Sequence, residues 1–225
     1  MPHNLLIGGF LHKQMLDLII SSLEPSPAFH WQSSKSRLKA FLWVQGNNFA
    51  RVESRRYLII ALGHISNDRG DVGETVLREI ERDLHQYSCL SIKNLEGSFS
   101  IVIVDKIKKK VMIYRNIAGL PCIYYISNNR LTLFSDNISY LVSILSTIIH
   151  QKLTINNSQL VSHFLYGGVW GQTLFKDIHR IMVGEQIFLE ANKVSRMQML
   201  KLTDMATSNI KDCAVHLDKV MKKII

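Results

Sequence analysis

The tightest constraint on the fold is a run of short apolar segments joined by links too short to hold a helix. Phe99–Val104, Val111–Tyr114, Cys122–Ile126 and Leu131–Phe134 are rich in β-branched and aromatic residues; the links are Asp105 to Lys110, Arg115 to Pro121 and Ser127-Asn128-Asn129. A parallel pair needs a crossover of about a dozen residues or more, so these strands pair antiparallel and the spacing predicts a meander. Further strands are expected at Asn4–Leu11, Phe41–Val44, Tyr57–Leu62, Gln186–Leu189 and Val194–Leu200, with Gly46-Asn47-Asn48 as a turn.

Helices are fewer. Asp71 followed by Glu74 reads as a capping box, and Val72, Val76, Leu77, Ile80 and Leu84 recur at helical spacing opposite Arg78, Glu81, Arg82 and Asp83. Such a one-sided stripe packs on a sheet or on another helix. Asn137–Leu145 and Asn157–Tyr166 also read as helical, the second after a capping region Thr154-Ile155-Asn156. Met15 to Leu23 is apolar and stops at the breaker Pro25-Ser26-Pro27. From Ser208 onward, Ile210, Ala214, Leu217, Met221 and Ile224 follow at spacings of 4, 3, 4 and 3, an amphipathic helix with Lys219, Lys222 and Lys223 on its flanks.

Composition narrows the function. With 225 residues, 47% apolar and 20% charged, the chain reads as one soluble globular domain, or one with a short extension, and can bury a core without disulfide or metal staples. The net charge of +9 is scattered; its densest cluster, Lys106, Lys108, Lys109 and Lys110, reads as a solvated hairpin tip, and no nucleic-acid-binding pattern accompanies it. Cys89, Cys122 and Cys213 are few and far apart, which argues for a reducing compartment, and a cytoplasmic location is expected. The run Leu5 to Leu11 has no preceding Lys or Arg, so it reads as a first strand rather than a signal peptide. No apolar run nears the roughly 20 residues that cross a bilayer.

Generic catalytic motifs are missing. The nine histidines form neither HExxH nor a Cys/His cluster, so no metal site is expected. Gly167-Gly168-Val169-Trp170-Gly171 lacks the spacing and following Lys of a phosphate loop, and Gly97-Ser98-Phe99-Ser100-Ile101 has Phe99 where a hydrolase elbow needs its nucleophile.

A longer pattern is more specific. Leu95-Glu96-Gly97-Ser98-Phe99-Ser100-Ile101-Val102-Ile103-Val104-Asp105 is followed in order by Arg115 to Tyr125 and by Leu133-Phe134-Ser135-Asp136-Asn137-Ile138. Leu160 to Gly168, Thr173-Leu174-Phe175-Lys176-Asp177-Ile178 and Val183-Gly184-Glu185 complete the series. Each piece is degenerate, but together they resemble, in order, the class II glutamine amidotransferase domain of asparagine synthetase B-type proteins. The resemblance implies an α+β fold, a four-layer αββα sandwich of two antiparallel sheets of the N-terminal-nucleophile hydrolase type. Active members attack the glutamine amide with an N-terminal Cys whose own α-amino group is the base.

This chain departs from that pattern twice. Ile7-Gly8-Gly9-Phe10 resembles the strand after the family's Cys-Gly, which puts Leu5 at the nucleophile position, and a Leu side chain cannot attack a carbonyl. Loss of Met1 would expose Pro2, which has no nucleophilic side chain either. Leu62-Gly63-His64-Ile65-Ser66-Asn67 resembles the family's Asn-Gly-Glu-Ile-Tyr-Asn, so Leu62 replaces an oxyanion donor whose loss typically costs about 3 kcal/mol of transition-state stabilisation. Gly63 keeps the second oxyanion position. Glu96 stands where the family binds the glutamine amino group, and reads equally as a solvated turn residue. No catalytic residue is therefore expected, only a vestigial pocket at Gly63 and Glu96.

β-Lactam synthetases and lasso-peptide cyclases are relatives that lost the cysteine and keep this domain beside an ATP-dependent one. By that likeness, residues 1–202 form an inactive amidotransferase-like domain, and 203–225 the linker and first helix of an absent synthetase domain. This chain itself is expected to bind no cofactor; ATP and Mg would belong to the absent domain, whose Ser-Gly-Gly-x-Asp-Ser loop does not occur here. The partners implied are that domain in cis or trans, a second copy of the chain, and a peptide substrate, with neither nucleic acid nor membrane. A stand-alone binding module, a truncated remnant and a working glutaminase are the alternatives.

Overall fold

The structure is a computed structural model that describes residues 5–23, 27–33, 38–46, 49–87, 90, 94–118, 121–129, 131–167, 172–190 and 193–199. The helix expected from Ser208 lies outside the described residues.

Among the described residues, twelve strands and four α-helices alternate irregularly, with a π-helical turn at Ile144–Ile148 after the third helix. They are β1 (Leu5–His12), α1 (Lys13–Ser22), β2 (Phe29–Gln32), β3 (Leu38–Gln45), β4 (Phe49–Glu53), β5 (Tyr57–Asn67), α2 (Glu74–Tyr87), β6 (Leu95–Asp105), β7 (Lys110–Arg115), β8 (Tyr124–Ser127), β9 (Thr132–Ser135), α3 (Ile138–Ser143), α4 (Asn157–Tyr166), β10 (His179–Arg180), β11 (Glu185–Glu190) and β12 (Lys193–Gln198). They build two six-stranded sheets, ordered β10-β8-β9-β1-β3-β2 and β12-β11-β7-β6-β5-β4, and every pairing is antiparallel.

The period-two alternation of side chains decides the layering. Leu6 and Phe10 of β1, Leu42 and Val44 of β3, Leu58, Ile60 and Leu62 of β5, and Val102 and Val104 of β6 form one buried cluster between the sheets. The intervening residues point outward. Leu5, Ile7 and Leu11 of β1 meet Leu16 and Ile19 of α1 and Leu141 of α3. On the second sheet, Ile59, Phe99, Ile101 and Ile103 meet Val76, Leu77, Ile80 and Leu84 of α2. Helix, sheet, sheet and helix thus stack in four layers, each apolar side chain so buried contributing about 1.5–3 kcal/mol. The expected αββα sandwich is what forms.

Three local expectations need correction. The predicted meander is two separate hairpins: β6 and β7 lie in one sheet and β8 and β9 in the other, because the segment from Asn116 crosses between sheets. The capping box does not form. Helix α2 starts only at Glu74, while the Asp71 carboxylate accepts from the Asn67 amide at 3.0 Å and Val72 is 55% exposed. Finally, β2, β4 and α1 arise where the sequence showed no clear element; in α1 the signal is Leu16 and Ile19, three apart and fully buried.

At the basic hairpin tip, Lys106 reaches Glu53 at 2.8 Å and Lys110 reaches Glu190 at 3.4 Å. Two of the four lysines there are paired within the fold. No described helix is long and apolar enough to cross a membrane.

Candidate functional site

One end of the sandwich gathers the residues singled out in the sequence. The first residue of β1, Leu5, pairs with Gln45 at the end of β3, and Phe49, just across the link, pairs with Leu62. Beyond Leu62, β5 continues against the start of β6 in the register Gly63 to Phe99, His64 to Ser98 and Ser66 to Glu96.

The backbone here requires glycine. Gly63 has φ +89° and Gly97 φ +110°, a region that side-chain-bearing residues rarely adopt. A Cβ on Gly97 would sit 2.3 Å from the carbonyl oxygen of His64. The crossing segment is fastened over this end. Asn116 donates through Nδ2 to the Gly97 carbonyl at 2.7 Å, Ser98 Oγ donates to the Ala118 carbonyl at 2.8 Å, and Ser100 Oγ to the Pro121 carbonyl at 2.9 Å. Arg115, 8% exposed, donates through Nη1 to the Ile181 carbonyl at 2.8 Å and so ties the two sheets together.

A second knot closes β5. The Asn67 side chain donates to Asp71 and Glu79, both at 3.0 Å, and its Oδ1 accepts from the backbone N–H groups of Arg69 at 3.1 Å and Asp71 at 2.9 Å. Every hydrogen-bonding position of this buried amide is used, and Arg69 pairs in turn with Glu79.

One ionisable group at this end belongs to no catalytic motif of the sequence. Asp136, just after β9, accepts from the Leu6 N–H at 2.8 Å, while its own N–H donates to the Leu6 carbonyl at 3.2 Å. Burial pushes its carboxyl up to about 6, although the hydrogen bonds from backbone N–H groups pull the other way. The clue in the sequence was an acid directly after a buried strand, but only the fold places it against the start of β1.

Leu5 and Leu62, each 3% exposed, belong to different apolar clusters on opposite faces of the first sheet. It is Leu6, not Leu5, that shares the inter-sheet face with Leu62. Glu96 is exposed, and by strand alternation lies on that same face, four residues from Ser100, the partner of Leu62. Gly63 contributes backbone only. The end of the sandwich therefore keeps its glycine-shaped walls but offers hydrocarbon at both positions where the resemblance calls for chemistry.

Two antiparallel sheets enclosed by helices, with one strand beginning at a glycine-shaped end, define a four-layer αββα sandwich. Residues 32–200 match the family described as the glutamine amidotransferase domain, and the chain belongs to that family. Comparison with the curated proteins gives no match. Among solved structures, one similar chain is described as the allosteric regulatory enzyme of purine biosynthesis, with TM-score 0.49 and 8% identity over 87% of this chain and 49% of that one. Another is a glutamine phosphoribosylpyrophosphate amidotransferase from B. subtilis complexed with ADP and GMP, with TM-score 0.43, 7% identity and the same shares, 87% and 49%. The chain spans about half the length of these proteins.

Proposed function

We propose that this chain is the amidotransferase-like part of an asparagine-synthetase-like, ATP-dependent enzyme that forms amide bonds, of the kind represented by lasso-peptide cyclases. In this reading the domain performs no glutaminase chemistry and serves as scaffold or substrate-docking unit for a synthetase domain, in cis or trans. One observation carries the reading: Leu5 and Leu62, the two positions to which the resemblance assigns chemistry, are both built into apolar clusters, while Gly63 and Gly97 hold left-handed backbone at this end of the sandwich.

A hydrocarbon side chain has no lone pair to attack an amide carbon and no N–H to stabilise the oxyanion, so neither half of acyl transfer is supplied at these positions. Glu96 and the Gly63 backbone remain as groups that could hold an amine or an amide. Activation of a carboxylate would fall to the partner domain, which would bind ATP and Mg.

Two measurements test the proposal. The full chain is incubated with glutamine and ammonia is assayed; no release above the buffer blank is expected. Release that disappears on Glu96→Ala substitution would overturn the inactive reading in favour of a working glutaminase. Separately, a candidate ATP domain is expressed in trans, and binding and amide formation are followed; absence of both would remove the scaffold role.

A further inference from the structure

Helix α4 is out of keeping with the rest of the fold. Its ten residues, Asn157–Tyr166, include no buried side chain, yet Val161 is 57%, Phe164 79%, Leu165 68% and Tyr166 79% exposed. Val161, Phe164 and Leu165 stand at i, i+3 and i+4, so they share one face. A helix this short is marginal in water without packing, and that face calls for a cover.

The chain itself holds a fitting stripe. Ile210, Ala214, Leu217, Met221 and Ile224 repeat at helical spacing shortly after β12. Position supports the match, because a relay of contacts leads from β12 to the start of α4. The Arg196 guanidinium of β12 lies 5.4 Å from the Tyr125 ring, which stacks 5.3 Å from His179 of β10. His179 bridges to Gln172, whose Oε1 accepts from Nδ2 of Asn156, the residue capping α4, at 3.1 Å. The eight residues 200–207 can span about 25 Å, more than the roughly 15 Å length of α4.

We infer that the amphipathic segment 208–225 packs on the exposed Val161–Phe164–Leu165 face of α4. The tether selects this occupant over a second copy of the chain: a short linker gives an effective concentration near about 1 mM, far above micromolar protein. This inference does not depend on the proposed function, and glutamine or ATP plays no part in its test.

Cys213 lies three residues from Ile210 and four from Leu217, on the stripe, and provides a native handle. In the full chain carrying Cys89→Ser, Cys122→Ser and Phe164→Cys, mild copper-phenanthroline oxidation should give a disulfide between positions 164 and 213 within one chain. It is read as a monomer band on a non-reducing gel and by peptide mass. Adding Leu217→Glu and Met221→Glu should abolish it. In the otherwise native sequence those same two glutamates should speed amide exchange across residues 160–166 about tenfold or more, a local opening that leaves the sheets protected. A disulfide-linked dimer would mean that a second copy covers α4, and overturns the inference. So does failure to cross-link together with unchanged exchange in α4.

Discussion

Replacing Asp136 by Asn should stabilise the protein at neutral pH, with a pH dependence that follows from a single carboxyl. The shift from 3.8 to about 6 means that the folded state holds this proton more tightly than the unfolded chain does. Between these values the native state carries more protons, so stability falls as pH rises through 4 to 6 and the penalty stays constant above that. A shift of this size is worth roughly 3 kcal/mol at full value, and about half of that once partial exposure is allowed for. Asn cannot ionise, yet its Oδ1 can still accept from the Leu6 N–H, so the substitution removes the penalty and keeps the contact. Urea unfolding of both proteins at several pH values between 4 and 7.5 isolates the effect, since all other carboxylates cancel in the difference. The variant should gain on the native protein by about 1.5 kcal/mol or more between pH 4 and 7. A difference that does not change with pH, or that grows toward acid, would refute the burial argument.

Other substitutions probe the walls of the site. Gly97→Ala forces a Cβ to 2.3 Å from the His64 carbonyl at a φ of +110°, and should cost about 3 kcal/mol or more, seen as a lowered urea midpoint with unchanged slope. Asn67→Ala strips two donor and two acceptor bonds from a buried turn and should cost about 2–3 kcal/mol, with exchange of the Arg69 and Asp71 amides accelerated most. The double variant Leu5→Cys, Leu62→Asn, made with residue 5 as the first residue, should release no ammonia from glutamine, because residue 5 faces the outer helix layer while residue 62 faces the space between the sheets. Measurable glutaminase activity would show that this facing is wrong.

Much of the architecture was legible in the chain. Alternating apolar runs such as Ile101 to Val104 and Val111 to Tyr114 place strands because one face of each must be buried, and short links force antiparallel pairing. The glycines of the Gly63 and Gly97 motifs were visible as pattern, and their positive φ values supply the reason. What periodicity could not tell is which sheet a strand joins. The link between β7 and β8 looks like any hairpin link, yet the two strands lie in different sheets, with Ser98, Ser100 and Asn116 binding Ala118, Pro121 and Gly97 at the end of β6. Asp71 looked like a helix cap because local spacing cannot register that Asn67 competes for its carboxylate.

The sequence alone determined the antiparallel strands, the family pattern and the absence of a nucleophile at Leu5, since these are properties of residue types in order along the chain. Only the tertiary structure decided that Leu5 and Leu62 lie in separate cores, that Asp136 is held against the start of β1 with its carboxyl raised, and that the other described elements leave the apolar face of α4 uncovered. Burial and facing are set by contacts between residues far apart in the chain, and no local pattern encodes them.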